Sequence, residues 1–383
     1  MRKYMIISFL LVFILSGCLP NVDKEDEVVK NNNKTEEKAI IPKYQISESY
    51  YRTLTPFKPS SVRGMVVSNL NNRYDSDEFE EGLLRISQRN FSTDTYIFQE
   101  GQYINKKMIT GWLRRKMTSK QLKENGLKEN ENIGLNPLLK NEGNQADHEK
   151  NPIYLAHILE HDYLVKSEGD TVKLGGVSIG LALNSVYYYK LDGAEKKFEI
   201  PNNVIESEGK RIAEELIGQL REVKGLESVP ITIGLFKQKD KTSIVPGNYF
   251  AYGTAKSGTS LEWNKVEEEY VLFPSTVATK KHRDDAQQFD TFKNNVSKYF
   301  PNFNGIVGRA LYINNELNKI SIDVTTQFYG KTEVIGFSQY IASLIVESFP
   351  KYVTTEVNVN SVTKQEALIL KEPDMDEPFV HIY

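Results

Sequence analysis

The residue with the most readable chemistry is Cys18, the only cysteine among 383 residues. It follows Leu15, Ser16 and Gly17 directly, at the end of an apolar run from Met5 to Leu15 that Arg2 and Lys3 introduce. A charged start, an apolar core and small residues at the cut site are the parts of a secretory signal. The run is too short to span a bilayer as a mature helix, which needs about 20 residues. A thiol at this place is the acceptor for a diacylglyceryl group, with cleavage between Gly17 and Cys18 recognised through Leu15, Ser16 and Gly17. Two acyl chains hold a protein on a membrane where one would be marginal. The alternative, a buried structural cysteine, fits none of the surrounding residues. Once Cys18 is lipidated no free thiol remains, which excludes cysteine metal sites and cysteine nucleophiles from the mature chain.

Three further constellations carry weaker chemistry. Gly176-Val177-Ser178-Ile179-Gly180 matches a serine-hydrolase pattern, but that motif needs a sharp strand-to-helix turn after the serine. Here apolar alternation runs on to Leu183, so Ser178 reads as an outward-facing strand residue. His157 and His161 stand four apart, as zinc ligands on a helix do, yet the glutamate is Glu160 and the pattern is not HExxH. The expected reading is a solvated helix face, with no metal and no cofactor. Tyr187, Tyr188 and Tyr189, just after Asn184, offer rigid faces and hydroxyls of the kind that bind peptides or sugars. The competing reading packs alternate rings into the core and exposes Tyr188 alone. The basic runs Arg114-Arg115-Lys116 and Lys280-Lys281-His282-Arg283 read as solvated surface, with contact to anionic lipid or wall polymer as the alternative. No catalytic residue set is defensible from spacing.

The elements that must position these residues follow from periodicity. Leu19 to Ile46 is rich in Asn, Lys, Asp and Glu and reads as a disordered tether over 18–46, about 30 Å long on average. A helix is expected over Ser76 to Asn90 and short strands over Thr95 to Gln99 and Gln102 to Asn105. Residues 106 to 150 read as a mostly surface excursion with one or two short helices. Further helices are expected over Pro152 to Tyr163, Glu206 to Lys224, Ala286 to Phe300 and Val334 to Ser348. Strands are expected over Val177 to Tyr189, Ile231 to Phe236, Ile306 to Gly308, Leu311 to Asn314, Ile320 to Phe328 and Tyr352 to Val359.

The order α-β-β-α-β occurs twice. Phe91, Ile97, Tyr103, Ile104 and Asn105 match Phe300, Ile306, Tyr312, Ile313 and Asn314 at one offset, and Ser178-Ile179 match Ser321-Ile322 at a smaller one. The expected fold is α+β: two similar repeats, each a small mixed sheet covered by helices. The first spans 47–240 with a long loop insertion, a connection spans 241–280, and the second spans 281–383. With 39% hydrophobic and 26% charged residues the composition is globular. Loss of the signal, residues 1–17, moves the formal charge from −3 to −5, which gives no footprint for nucleic acid.

Tyr51-Arg52-Thr53-Leu54 with Pro56-Phe57-Lys58, Asn132 to Pro137, Asn184 to Lys190, Leu272 to Thr276, and Val380 to Tyr383 together resemble the CamS family of Gram-positive lipoproteins. The resemblance covers nearly everything from Cys18 onward. It implies a lipid-anchored protein on the outer face of the membrane with no known enzymatic activity and a folded part of two related repeats. It also implies that the end of the signal peptide, once trimmed, is a short hydrophobic sex pheromone acting on responding enterococci. Pheromone-bearing members end their signals in Ala-Ile-Phe-Ile-Leu-Ala followed by Ala or Ser. Here Leu11 to Gly17 keeps Phe-Ile-Leu and changes both ends, so it would meet a receptor with different pocket contacts. The remaining expectation for the folded part is a peptide or wall-polymer ligand at Asn184, Tyr187, Tyr188 and Tyr189.

Overall fold

A computed structural model describes residues 26–31, 37–168, 170–299, 305–373 and 375–383. The signal peptide and Cys18, with Leu15, Ser16 and Gly17, lie outside the described residues. In chain order the strands are β1 (Glu27–Asn31), β2 (Glu37–Ile41), β3 (Arg52–Thr53), β4 (Ile97–Glu100), β5 (Leu155–Ser167), β6 (Thr171–Asn184), β7 (Val186–Leu191), β8 (Ala194–Glu199), β9 (Ile231–Gln238), β10 (Asn248–Ala255), β11 (Glu262–Lys265), β12 (Glu268–Phe273), β13 (Gly305–Ile313), β14 (Glu316–Thr325), β15 (Thr354–Asn360), β16 (Gln365–Lys371) and β17 (Phe379–Ile382). The helices are α1 (Met65–Asn69), α2 (Arg73–Ser87), α3 (Lys106–Leu113), α4 (Ser119–Glu124), α5 (Gln145–Lys150), α6 (Asn202–Arg221), α7 (Thr276–Lys281), α8 (Arg283–Tyr299) and α9 (Lys331–Ser348). Among the described residues no helix is long and apolar enough to cross a membrane.

The expected α+β class is observed, in three sheets. The first sheet runs β11-β10-β9-β6-β5-β4-β3, with the β1–β2 hairpin attached to β6; the second runs β12-β13-β14-β15-β16-β17; β7 and β8 form a separate hairpin. The central pairings of the two large sheets correspond. β5–β6 and β13–β14 are antiparallel, β6–β9 and β14–β15 are parallel across a helix, and β9–β10 and β15–β16 are antiparallel. A parallel pair needs a crossover of a dozen or more residues, which α6 and α9 supply.

The helices do not correspond in the same way. On the first sheet Val177, Ile179, Leu181 and Leu183 pack under Ile212, Leu216 and Leu220 of α6, while Ala182 and Phe236 on the other face pack under Phe79, Leu83 and Ile86 of α2. Both faces are therefore buried, with Val177, Ile179, Leu181 and Leu183 toward α6 and the small residues Ser178, Gly180 and Ala182 on the face that α2 covers. On the second sheet α8 and α9 share one face, with Phe289, Phe292, Phe337 and Ile341 over Ile320, Ile322 and Val357. The opposite face carries half-exposed Ser321, Asp323, Glu356 and Asn358, and the strands alternate.

Several expectations are corrected. Ser178 is fully buried, not outward-facing, because α2 covers its face, and its Oγ lies 2.8 Å from Ser87 Oγ. Residues 155 to 163 form strand, not helix. Their apolar residues satisfy helical spacing only because a strand buried on both faces also places apolar groups at consecutive positions. Part of the expected tether forms the β1–β2 hairpin, where Val29, Ala39 and Ile41 alternate with exposed residues and pack on Leu54, Leu164 and Val172. The expected connection over 241–280 holds β10 and β11 of the first sheet and β12 of the second. The larger residue offset sets β4 against β13, which hold different places in the two sheets, whereas the smaller sets β6 against β14, which hold the same place.

Candidate functional site

The tyrosine cluster sits on β7. Period-two alternation sends Tyr187 and Tyr189 to one side and Tyr188 to the other. Tyr187 and Tyr189 are buried and stack at 5.2 Å between ring centroids, and His148 of α5 stacks on Tyr189 at 4.4 Å. The Tyr187 hydroxyl lies 3.0 Å from His148 Nδ1 and accepts from Arg115 at 3.0 Å. Arg115 also donates to the carbonyls of Pro137 and Asn151, at 2.9 and 2.7 Å. It is thus a structural clasp and not part of a solvated basic run. Asn184 donates to the Ile153 carbonyl at 2.8 Å and accepts from Gln238.

Tyr188 alone faces outward in part. Its hydroxyl donates to Asp240, and Lys241 Nζ stands 4.5 Å from its ring centroid. Burial and then the Asp240 hydrogen bond push the Tyr188 phenol up to about 12. Hydrogen bonds from the Thr242 hydroxyl, Tyr188 and the Thr242 N–H hold Asp240 down at about 2. At neutral pH the pair is a phenol donating to a carboxylate. The structure brings Asn184 and the three tyrosines into one hairpin region, but two rings serve packing and the third is covered by its own chain.

His157 and His161 lie in the interior of β5 and both are buried. Burial lowers the His157 imidazole to about 4 and the His161 imidazole to about 3. His157 Nδ1 lies 3.1 Å from Asn69 Nδ2, and His161 Nδ1 has no hydrogen-bond partner. Neither is on a solvated helix face. Among the described residues no group of three or more His, Cys, Asp or Glu is placed to hold a metal ion.

The segment Asn132 to Pro137 proves to be a structural keystone. Buried Asn136 donates to the carbonyls of Leu113 and Leu155 at 2.9 and 3.0 Å, and accepts from the N–H groups of Tyr154 and Leu155, both at 2.9 Å. All four of its amide positions are used. Residues 106–150 are accordingly more than a surface excursion: Ile109, Trp112, Leu122 and Leu135 are buried there.

Sequence reasoning missed an ionic cluster between the two large sheets. Glu78 and Arg85 project from α2 and pair with each other, Arg85 reaches Glu268 of β12 at 2.9 Å, and the Tyr270 hydroxyl donates to Glu78 at 2.5 Å. Burial raises the Glu78 carboxyl against the opposing pull of Arg85. The signal available was a buried-stripe helix carrying Glu and Arg seven apart, on the same side as Phe79 and Ile86.

Comparison with known proteins places the chain beside one family. Residues 57–377 match the family model described as CamS sex pheromone cAM373 precursor. The C-terminal domain of the sex pheromone staph-cAM373 precursor from Staphylococcus aureus is 34% identical, with a TM-score of 0.71 over 82% of this chain and 98% of that one. The sex pheromone precursor from Lactobacillus salivarius subsp. salivarius UCC118 is 30% identical, with a TM-score of 0.79 over 89% and 98%. No curated protein matches the sequence.

Proposed function

Because this chain belongs to the CamS sex pheromone precursor family, we propose that it is made as a lipoprotein precursor with two products. The first is a membrane-anchored protein whose new first residue is Cys18, carrying a diacylglyceryl group on the outer face of the cell membrane. The second is a short peptide trimmed from the end of the signal, Leu11 to Gly17. The observation that carries the reading is the order of residues 1 to 18, an apolar run ending in Leu-Ser-Gly-Cys ahead of a family match that spans nearly all of the folded part. The folded part serves as a non-enzymatic ectodomain of two related α+β units. The shared pairing order of the two large sheets supports their common origin.

The alternative of a wall-glycan or peptide module gains little from the tyrosines, since Tyr187 and Tyr189 are buried against His148 and Tyr188 is held by Asp240 and Lys241. Labelled palmitate fed to a Gram-positive host expressing the chain tests the anchor: incorporation that disappears in Cys18→Ser supports it, and equal incorporation by both removes it. For the peptide, mass spectrometry of the medium should find the heptapeptide Leu11 to Gly17, and synthetic peptide should induce plasmid transfer in a responder. Absence of the peptide from the medium would remove the second product.

A further inference from the structure

The second sheet ends in β17, which pairs with β16 on one side and with no described strand on the other. Open edges invite pairing, and folded proteins blunt them with charge, proline or a bulge. The sequence Phe379-Val380-His381-Ile382-Tyr383 has no Lys, Glu, Asp or Pro. Phe379 and Tyr383 are 53% and 48% exposed. The Tyr383 N–H donates to the backbone carbonyl of Glu366 of β16 at 3.0 Å. In an antiparallel ladder the backbone groups of alternate residues point to opposite sides, so Val380 and Ile382 direct their N–H and C=O groups to the open edge.

We propose that β17 pairs antiparallel with β17 of a second copy of this chain, about a two-fold axis at His381. The sequence is self-complementary in that register. Val380 faces Ile382 of the other copy, so each outward N–H meets an outward C=O and all four backbone groups of each strand are used. On the open face Phe379 meets Tyr383 of the other copy, an aromatic cross-strand pair of the stabilising kind.

A second observation, on a different element, fits the same axis. Helix α9 packs against α8 on one flank, where the Tyr340 hydroxyl donates to the Asn295 carbonyl at 3.1 Å and Tyr299 stacks on Tyr340 at 5.4 Å. At about 100° per residue, Ile335, Ala342 and Val346 lie on the opposite flank, toward β17. Ile335 and Val346 are 40% and 44% exposed, an apolar stripe that no other described residue covers fully. Since α9 lies over β16 and β17, strands spaced about 4.8 Å apart put the two α9 axes about 10 Å from each other across the axis. That is the ordinary distance for packed helices. Strand edge and helix flank are then covered by one partner, and the two six-stranded sheets become one of twelve.

The test is cross-linking of the full-length chain in membranes. At a non-hydrogen-bonded antiparallel pair the Cα atoms are about 4.5 Å apart, within disulfide range, so His381→Cys should give a disulfide-linked dimer under mild oxidation. Thr363→Cys, exposed on the turn between β15 and β16, should not. Val380→Pro removes an N–H that β16 does not use, and in the His381→Cys chain it should cut the dimer yield at least about tenfold. Val346→Lys, which puts a charge into the apolar flank from an exposed position, should do the same, so the result does not depend on one variant folding. Cross-linking by His381→Cys no greater than by Thr363→Cys overturns the proposal, as does a yield that neither Val380→Pro nor Val346→Lys lowers.

Discussion

Two buried neutral imidazoles inside a sheet make this fold sensitive to acid. His157 and His161 are held at about 4 and about 3, against 6.5 in the open chain. Unfolding lets both take up protons, so stability is unaffected by them above pH 6.5 and is lost as the pH falls, down to about 4 for His157 and about 3 for His161. Asp75 acts in the opposite sense, since burial raises its carboxyl from 3.8 to about 6 despite N–H donors at Gly247 and Lys239. The histidine effect is therefore isolated by substitution. His161→Leu removes an imidazole whose Nδ1 has no partner, and urea titrations should show its stability relative to wild type improving by about 2–3 kcal/mol between pH 7.5 and pH 4.5. Asn136→Ala strips four backbone partners at once and should cost about 3 kcal/mol by the same measurement at pH 7.5. Neither role was legible in the sequence. Asn136 and His161 look like any loop asparagine and helix histidine until the layers above them are known, because burial on both faces of β5 is a tertiary fact. The tyrosines were more legible: strand alternation alone separates Tyr188 from Tyr187 and Tyr189.

At the scale of elements, α2 approaches the first sheet over glycine. A Cβ added at Gly180 would stand 2.7 Å from the Tyr249 hydroxyl and 2.9 Å from Phe79, and one at Gly234 would stand 2.7 Å from the Tyr249 ring. The Tyr249 hydroxyl donates to the Phe79 carbonyl at 2.7 Å, tying strand to helix. Gly180→Ala should destabilise by about 2 kcal/mol through overpacking, seen as a lowered midpoint in thermal unfolding. The glycines flanking Ser178 match a hydrolase pattern in the sequence; in the structure Gly180 makes room for Phe79 and Tyr249, and Gly176 for the Phe91 ring beyond the end of α2. Helices α2, α6, α8 and α9 were legible because each has one apolar face. Strand β5 was not, and the β1–β2 hairpin escaped because its three alternating buried apolar positions, Val29, Ala39 and Ile41, are lost among charged neighbours.

For the whole molecule, the joint between the two large sheets rests on Arg85 between Glu78 and Glu268, with Arg309 of β13 over the Tyr74 ring of α2 at 5.2 Å. Arg85→Ala leaves two carboxylates facing each other away from water, a loss of about 3–5 kcal/mol. Calorimetry should show one unfolding transition in wild type and two in the variant, as the sheets unfold separately. The α+β class and the family were legible from pattern and motif, whereas the joint was not, since its partners lie 183 positions apart. The central claim concerns the other end of the chain, where Cys18 divides a released peptide from an anchored protein. Mass spectrometry of the mature protein from a Gram-positive host tests it most directly. The expected N-terminal residue is Cys18 bearing a diacylglyceryl group; an unmodified N-terminus, or one at any other residue, would contradict the account.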